Sequence, residues 1–150
     1  QEKAEWLESL GVKSIVSENK SIEELDRETK KLVPEGFDAY MEHVSNLHLL
    51  NGINNMKLNG RIGLCGVMKS YTSQIAHGPN LLNVITNNIN IKGYVVGRHY
   101  NMWDQFQEYI LDKYDSFEFK QHIEHGLDKV PSIYDNLYNS YGKGKLVIKI

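Results

Sequence analysis

Short apolar runs with strand character alternate with helical stretches along most of this chain, and that alternation limits the fold more than any single motif does. Strands separated by helices of this length argue for parallel crossovers, so the pattern predicts an α/β fold with a doubly wound parallel sheet. Glu2 to Leu10 reads as the end of a helix stopped by Gly11, and Ser14-Ile15-Val16 as a short strand. Ser21 is a candidate N-cap, with Glu23 and Glu24 where a helix dipole favours negative charge, and that helix runs to Leu32 before Pro34-Glu35-Gly36 breaks it. Phe37–Met41 is the next strand. Asn46–Met56 is a helix carrying Leu49, Leu50 and Ile53 on one face. Asn59-Gly60 signals a turn, Arg61–Val67 a short apolar strand, and Lys69–Pro79 a polar loop. Leu81–Asn88 then reads as a helix and Ile89–Val96 as a strand. Trp103, Phe106 and Ile110 form an amphipathic stripe ending near Tyr114. After about Asp115 the period changes: Phe117–Ile123 alternates like a strand, Val130, Ile133 and Leu137 make a helical stripe, and Lys145–Ile150 is a terminal strand.

Charge is distributed unevenly. Residues 1–42 carry eleven acids against six bases, whereas residues 43–103 carry five bases (Lys57, Arg61, Lys69, Lys92, Arg98) and no acid. Buried strands and Asn-rich loops account for such a stretch, and so does a surface that meets an anion such as a phosphate-bearing cofactor. The overall formal charge of −2 removes the simplest case for nucleic-acid binding. No apolar run is long enough to span a membrane, and no signal-peptide pattern opens the chain. One cysteine cannot form an intramolecular disulfide, which points to a reducing, cytoplasmic compartment. The 150 residues suit one ordinary domain, but the chain opens on Gln1-Glu2-Lys3, without Met and already inside a helix, as a truncated chain would.

Chemistry-bearing residues are few. Gly60, Gly63 and Gly66 lie along one strand, where glycine serves either a close ligand approach at the carboxyl end of a parallel strand or a tight turn with close helix packing. No Gly-x-Gly-x-x-Gly phosphate fingerprint follows a strand. Cys65 has no partner thiol and reads as a small buried apolar residue. The six histidines are scattered, and His122 and His125 fall on opposite faces of a strand, so no metal site is expected. Ser70 and Tyr71, beside Lys69, occupy the loop after the glycine strand, where a tyrosine either hydrogen-bonds a substrate or cofactor oxygen or packs on the surface. The tyrosines of the C-terminal third, at helical spacing, read as core and domain-interface residues rather than nucleic-acid stacking platforms.

The run Gly60-Arg-Ile-Gly-Leu-Cys-Gly-Val-Met-Lys-Ser-Tyr71 is similar to the same segment of the zinc-independent medium-chain dehydrogenases/reductases. Within them it most resembles the prostaglandin reductase/leukotriene B4 12-hydroxydehydrogenase family, the alkenal/one oxidoreductases. Four further stretches match in order: Glu2-Lys3…Trp6-Leu7…Leu10-Gly11, Gly36-Phe37-Asp38, Lys92-Gly93-Tyr94-Val95-Val96 and Gly144-Lys145-Leu-Val-Ile-Lys149. The resemblance therefore spans the whole chain. It implies the C-terminal part of a Rossmann cofactor-binding domain over residues 1–115, an incomplete doubly wound sheet, and the returning tail of a GroES-like domain over 116–150.

The same resemblance implies an NADPH-dependent oxidoreductase that reduces the C=C bond of α,β-unsaturated ketones and aldehydes without zinc. Lys3 then falls where a lysine meets the adenosine 2′-phosphate. Cys65, Gly66, Val67, Met68, Lys69, Ser70 and Tyr71 line the cofactor beyond the central strand, and Tyr94, Val95 and Val96 flank the nicotinamide carboxamide. No catalytic residue is carried over, although Tyr71 is a candidate for the oxyanion role. The chain departs from the family pattern at Glu18, His43, Thr86 and Gly142, positions that bear on affinity, cofactor choice and substrate. A quinone oxidoreductase, or a non-catalytic nucleotide-binding or structural relative, is the alternative. The 150 residues alone hold half a cleft and are expected to be inactive, and exposed sheet edges are expected to pair copies of the chain as a homodimer.

Overall fold

The computed structural model describes residues 2–44, 47–66, 81–137 and 144–150. They form two compact units, Gln1–Asn101 and Met102–Ile150. In the first unit, helices α1 (Glu2–Ser9) and α2 (Ile22–Leu32) precede strand β1 (Phe37–Glu42). Helix α3 (Leu47–Asn54), strand β2 (Met56–Leu64), helix α4 (Leu82–Thr86) and strand β3 (Asn90–Gly93) follow. The sheet order is β1-β2-β3 and both pairings are parallel, so β1-α3-β2 and β2-α4-β3 are successive crossovers of a Rossmann-type α/β fold. The expected parallel sheet is thus observed.

The sequence logic of α2 holds in detail. Ser21 Oγ accepts from the Glu24 amide at 3.3 Å, and Glu24 Oε2 accepts from the Ser21 amide at 2.9 Å, a reciprocal capping box. Glu23's own backbone amide, and after it the Ser21 hydroxyl, hold the Glu23 carboxyl below the usual glutamate range. Leu25 and Thr29, one turn apart, are the residues α2 buries. Helix α3 approaches β1 closely because position 52 is glycine: a Cβ there would sit 2.7 Å from the Tyr40 ring. The core of this unit is Ile53, Met56, Ile62 and Ile89, with Phe37, Tyr40, Leu49, Leu64 and Val84 packed around it.

Polar bonds pin the helices as well. The Asp26 carboxylate on α2 accepts from the side-chain amides of Asn51, Asn54 and Asn55, at 2.8, 2.7 and 3.0 Å. Thr29 donates to Asn51 Oδ1 at 3.1 Å, and Asn83 of α4 donates to Asn54 Oδ1 at 3.1 Å. Several asparagines of the acid-free stretch are therefore helix-joining groups rather than loop filler.

Three local expectations are corrected. Ser14–Val16 pairs with no strand among the described residues; the Ser14 hydroxyl instead bonds back to Glu8 Oε1 and the Ala4 carbonyl of α1, at 3.3 and 3.5 Å. Asn59-Gly60 does not separate a helix from a strand but lies inside β2. Phe37 pairs with Met56 and Ala39 with Arg61, so Asp38 alone faces Lys57–Gly60 in an irregularity of the ladder. Asn59 takes a left-handed φ of 61° there, its amide donating to the Asn87 carbonyl at 2.8 Å, so the turn signal marks a bulge. β3 stops at Gly93 rather than Val96, and Val96–Arg98 coils into a 3-10 turn.

In the second unit, α5 (Trp103–Lys113) precedes the parallel pair β4 (Gln121–His125) and β5 (Lys145–Lys149), with α6 (Val130–Leu137) between them in sequence. β4 begins at Gln121, not Phe117. Phe119 packs its ring against Tyr114 and Phe117, with centroids 5.3 and 6.1 Å apart, ahead of the strand. His122 and His125 both lie on β4. Among the described residues no helix is long and apolar enough to cross a membrane.

Candidate functional site

In doubly wound sheets ligands bind outside the carboxyl ends of the strands. A cleft of about 450 Å³ lies at those ends of β2 and β3, lined by Leu64, Cys65, Gly66, Gly93, Tyr94, Val95, Arg98 and His99. Its walls follow from how the strands finish. The Glu42 carbonyl, at the end of β1, accepts from the amides of Cys65 and Gly66 at 2.9 and 3.2 Å. The Tyr94 amide donates to the Leu64 carbonyl at 2.8 Å, extending the β2-β3 pairing one residue beyond β3. Position 66 requires glycine: a Cβ would come within 2.8 Å of the His43 carbonyl oxygen. The chain after β1 and the chain after β2 thus meet at backbone contact.

Glu42 is buried at 1% exposure beneath this junction. Its Oε1 accepts from the Val44 amide, which turns the chain back after β1. The neighbouring Tyr40 hydroxyl is pushed to ionise well above the ordinary tyrosine range, first by burial and then by the Glu42 charge and hydrogen bond. Tyr40 also donates to the His48 carbonyl at 3.1 Å.

Four of the expected cofactor-lining residues, Cys65, Gly66, Tyr94 and Val95, come together in this cleft. Val96 stands beside it, 71% exposed, in the 3-10 turn. Cys65 is not buried as expected. It follows the end of β2 on the cleft wall, where the side chain is exposed and its thiol donates to Met41 Sδ at 3.1 Å. Lys3 is exposed on α1 and does not line the cleft. Val67, Met68, Lys69, Ser70 and Tyr71 lie outside the described residues, as does Gly142. Of the departures from the family pattern, Glu18 is exposed, and the Thr86 hydroxyl bonds back to the Leu82 carbonyl of its own helix at 3.1 Å.

Sequence reasoning missed Arg98 and His99. They reach the cleft because β3 ends early and the 3-10 turn brings both side chains to its mouth; the His99 ring lies 5.9 Å from that of Tyr94. The acid-free stretch was the available signal, since it contains both residues.

The profile of the zinc-binding dehydrogenase family matches residues 1–114. The chain belongs to that family. Among its relatives, (+)-pulegone reductase of Mentha piperita is 33% identical over 133 residues, covering 85% of this chain and 39% of that one. The NADP(+)-dependent 2-alkenal reductase of Nicotiana tabacum is 29% identical over 134 residues, covering 87% and 39%. The crystal structure of CurA in complex with NADPH from Vibrio vulnificus superposes with a TM-score of 0.76 at 19% identity, over 99% of this chain and 47% of that one. The chain thus spans about two fifths of the length of these curated relatives. The sequence resemblance to the zinc-independent reductase branch of this dehydrogenase family is borne out, and so is the Rossmann-type fold. As to the metal in the family's name, among the described residues no three His, Cys, Asp or Glu side chains gather into a ligand set.

Proposed function

We propose that this chain is part of an NADPH-dependent reductase of the C=C bond of α,β-unsaturated ketones and aldehydes. The observation that carries the reading is the cleft at the carboxyl ends of β2 and β3, assembled from Cys65, Gly66, Tyr94 and Val95. A relative named for 2-alkenals and NADP(+), and a similarly folded protein crystallised with NADPH, support the same reading. The residues fit such a cofactor: Gly93, whose Cβ would meet nothing within 4 Å, leaves its strand end open to a flat ring, and Leu64, Tyr94 and Val95 offer apolar and aromatic surface.

When bound, NADPH supplies a hydride to the β-carbon of the substrate. The chain's own contribution is positional. The Glu42–Cys65–Gly66 junction fixes the cleft floor, and the Tyr94–Leu64 hydrogen bond fixes one wall. Cofactor contacts are assigned to Lys3, the 65–71 run and the 94–96 run, with Lys3 pairing the adenosine 2′-phosphate. The first domain extends to residue 115 and the GroES-like tail from 116 to 150. The compartment is the reducing cytoplasm, and two copies pair through sheet edges.

Enone-dependent NADPH oxidation by the complete protein tests the activity. Turnover of small enones and alkenals is expected; NADPH binding without turnover on enones, alkenals or quinones would instead leave a nucleotide-binding protein. Lys3→Ala should weaken NADPH binding far more than NADH binding, and an equal effect on both would remove the phosphate assignment.

A further inference from the structure

The chain holds two Asn-Gly pairs, Asn51-Gly52 and Asn59-Gly60, and the fold treats them differently. Such a pair is a latent reaction centre. The glycine amide nitrogen, with no side chain beside it, can attack the asparagine side-chain carbonyl and close a five-membered ring. A C–N bond forms at Cγ as that nitrogen loses its proton, and Nδ2 leaves as ammonia. Water then opens the ring at either carbonyl, leaving aspartate or isoaspartate, the latter with an extra carbon in the main chain.

At Asn51-Gly52 the surroundings oppose this reaction. Asn51 Nδ2 donates to Asp26 at 2.8 Å, and Asn51 Oδ1 accepts from Thr29 at 3.1 Å. Gly52 is buried inside α3, against the Tyr40 ring. Ring closure there would break both side-chain bonds and a turn of helix. At Asn59-Gly60 much less is lost. The β1-β2 register passes from Met56 to Arg61, and the β2-β3 register begins at Arg61, so neither residue has a registered partner on either side. The Asn59 amide donates to the Asn87 carbonyl, but the ring closes through the Gly60 nitrogen and leaves that bond in place. Asn59 is exposed, and its left-handed φ of 61° already departs from strand geometry. Its Oδ1 accepts from Asn88 Nδ2 at 2.7 Å. That oxygen gathers negative charge as the ring closes, so Asn88 stands as donor to a developing oxyanion.

We propose that Asn59-Gly60 is a deamidation site of the folded protein, with Asn88 as the hydrogen-bond donor that assists it. The product is the first acid in residues 43–103, its carboxylate set against the Asn88 amide in a charge-assisted bond. Nothing in this depends on the reductase reading.

The experiment incubates the complete protein at mildly alkaline pH, folded and in denaturant. Peptide mass mapping follows both pairs, and chromatography separates aspartate from isoaspartate. In denaturant the two pairs should react alike. In the folded protein Asn59 should convert more than about tenfold faster than Asn51, which must first break its two side-chain hydrogen bonds. Asn88→Asp removes the donor while keeping the shape and the tolerance of the left-handed φ of 49° at that position. It should slow the folded-state reaction at Asn59 by roughly 2- to 10-fold and leave the rate in denaturant unchanged. An Asn59 that stays amide in the folded protein, or reacts no faster than Asn51, would overturn the site. A folded-state rate unchanged or raised in Asn88→Asp would overturn the role of Asn88.

Discussion

Substituting Gly66 by alanine probes the junction on which the cleft is built. The added Cβ would lie 2.8 Å from the His43 carbonyl oxygen and 3.4 Å from the His43 Cα. Ordinary contact begins near 3.4 Å, so the oxygen must yield by roughly 0.6 Å. It cannot do so cheaply, because the contact is backbone on backbone and the adjoining Glu42 carbonyl already holds the Cys65 and Gly66 amides. Relief therefore means lengthening one or both hydrogen bonds, each worth about 0.5–1.5 kcal/mol, and overpacking of this kind costs about 1–3 kcal/mol in all. If that strain falls on the cleft, NADPH affinity drops by about 5- to 150-fold. Chemical denaturation and fluorescence titration with NADPH, in the complete protein, read the two quantities. Gly97→Ala is the matched control, since the nearest atom its Cβ would meet is 4.0 Å away on the Tyr100 ring. A Gly66→Ala protein with wild-type stability and wild-type NADPH binding would refute the reasoning.

Two further outcomes are expected. Ile53, fully buried at the centre of the first unit, should cost about 2–5 kcal/mol when truncated to alanine, read as a lower denaturation midpoint at unchanged slope. Tyr40 should ionise later than a free tyrosine in an ultraviolet titration. Its folded value is raised, so the native state keeps its proton where the unfolded chain loses it. Its contribution is complete below about pH 10 and declines as pH rises further, a decline that Tyr40→Phe should abolish.

Which parts of the fold could be read from sequence depended on whether the deciding interaction was local. The Ser21 cap and its Glu24 partner are three residues apart, and the expected helix formed from them. The Pro34-Glu35-Gly36 break and the onset of β1 were legible for the same reason. Ser14-Ile15-Val16 has the composition of a strand, but pairing needs a neighbour, which no local pattern can supply. Val95-Val96 shows the same limit, since β2 itself ends at Leu64, whose carbonyl takes the Tyr94 amide as the last bond of the pairing. The exposure of Cys65 followed likewise from where β2 stops. Arg98 and His99 entered the site through that early ending. The glycine run pointed to the cleft, whereas the cation at its mouth depended on a turn that β-branched residues disguised.

The hydrogen bonds around Asp26 have a polarity. Asn83 gives to Asn54, Thr29 gives to Asn51, and Asn51, Asn54 and Asn55 all give to one carboxylate. A carboxylate is the terminus such a chain needs, because Asn51 and Asn54 each accept one bond and pass one on, and only a pure acceptor can end three lines at once. The direction set at Asp26 fixes which way round each downstream amide stands, choosing one of two near-isosteric orientations as far away as α4. Asparagine at position 26 would place a donor among donors, and the orientations it governs would lose their common reference.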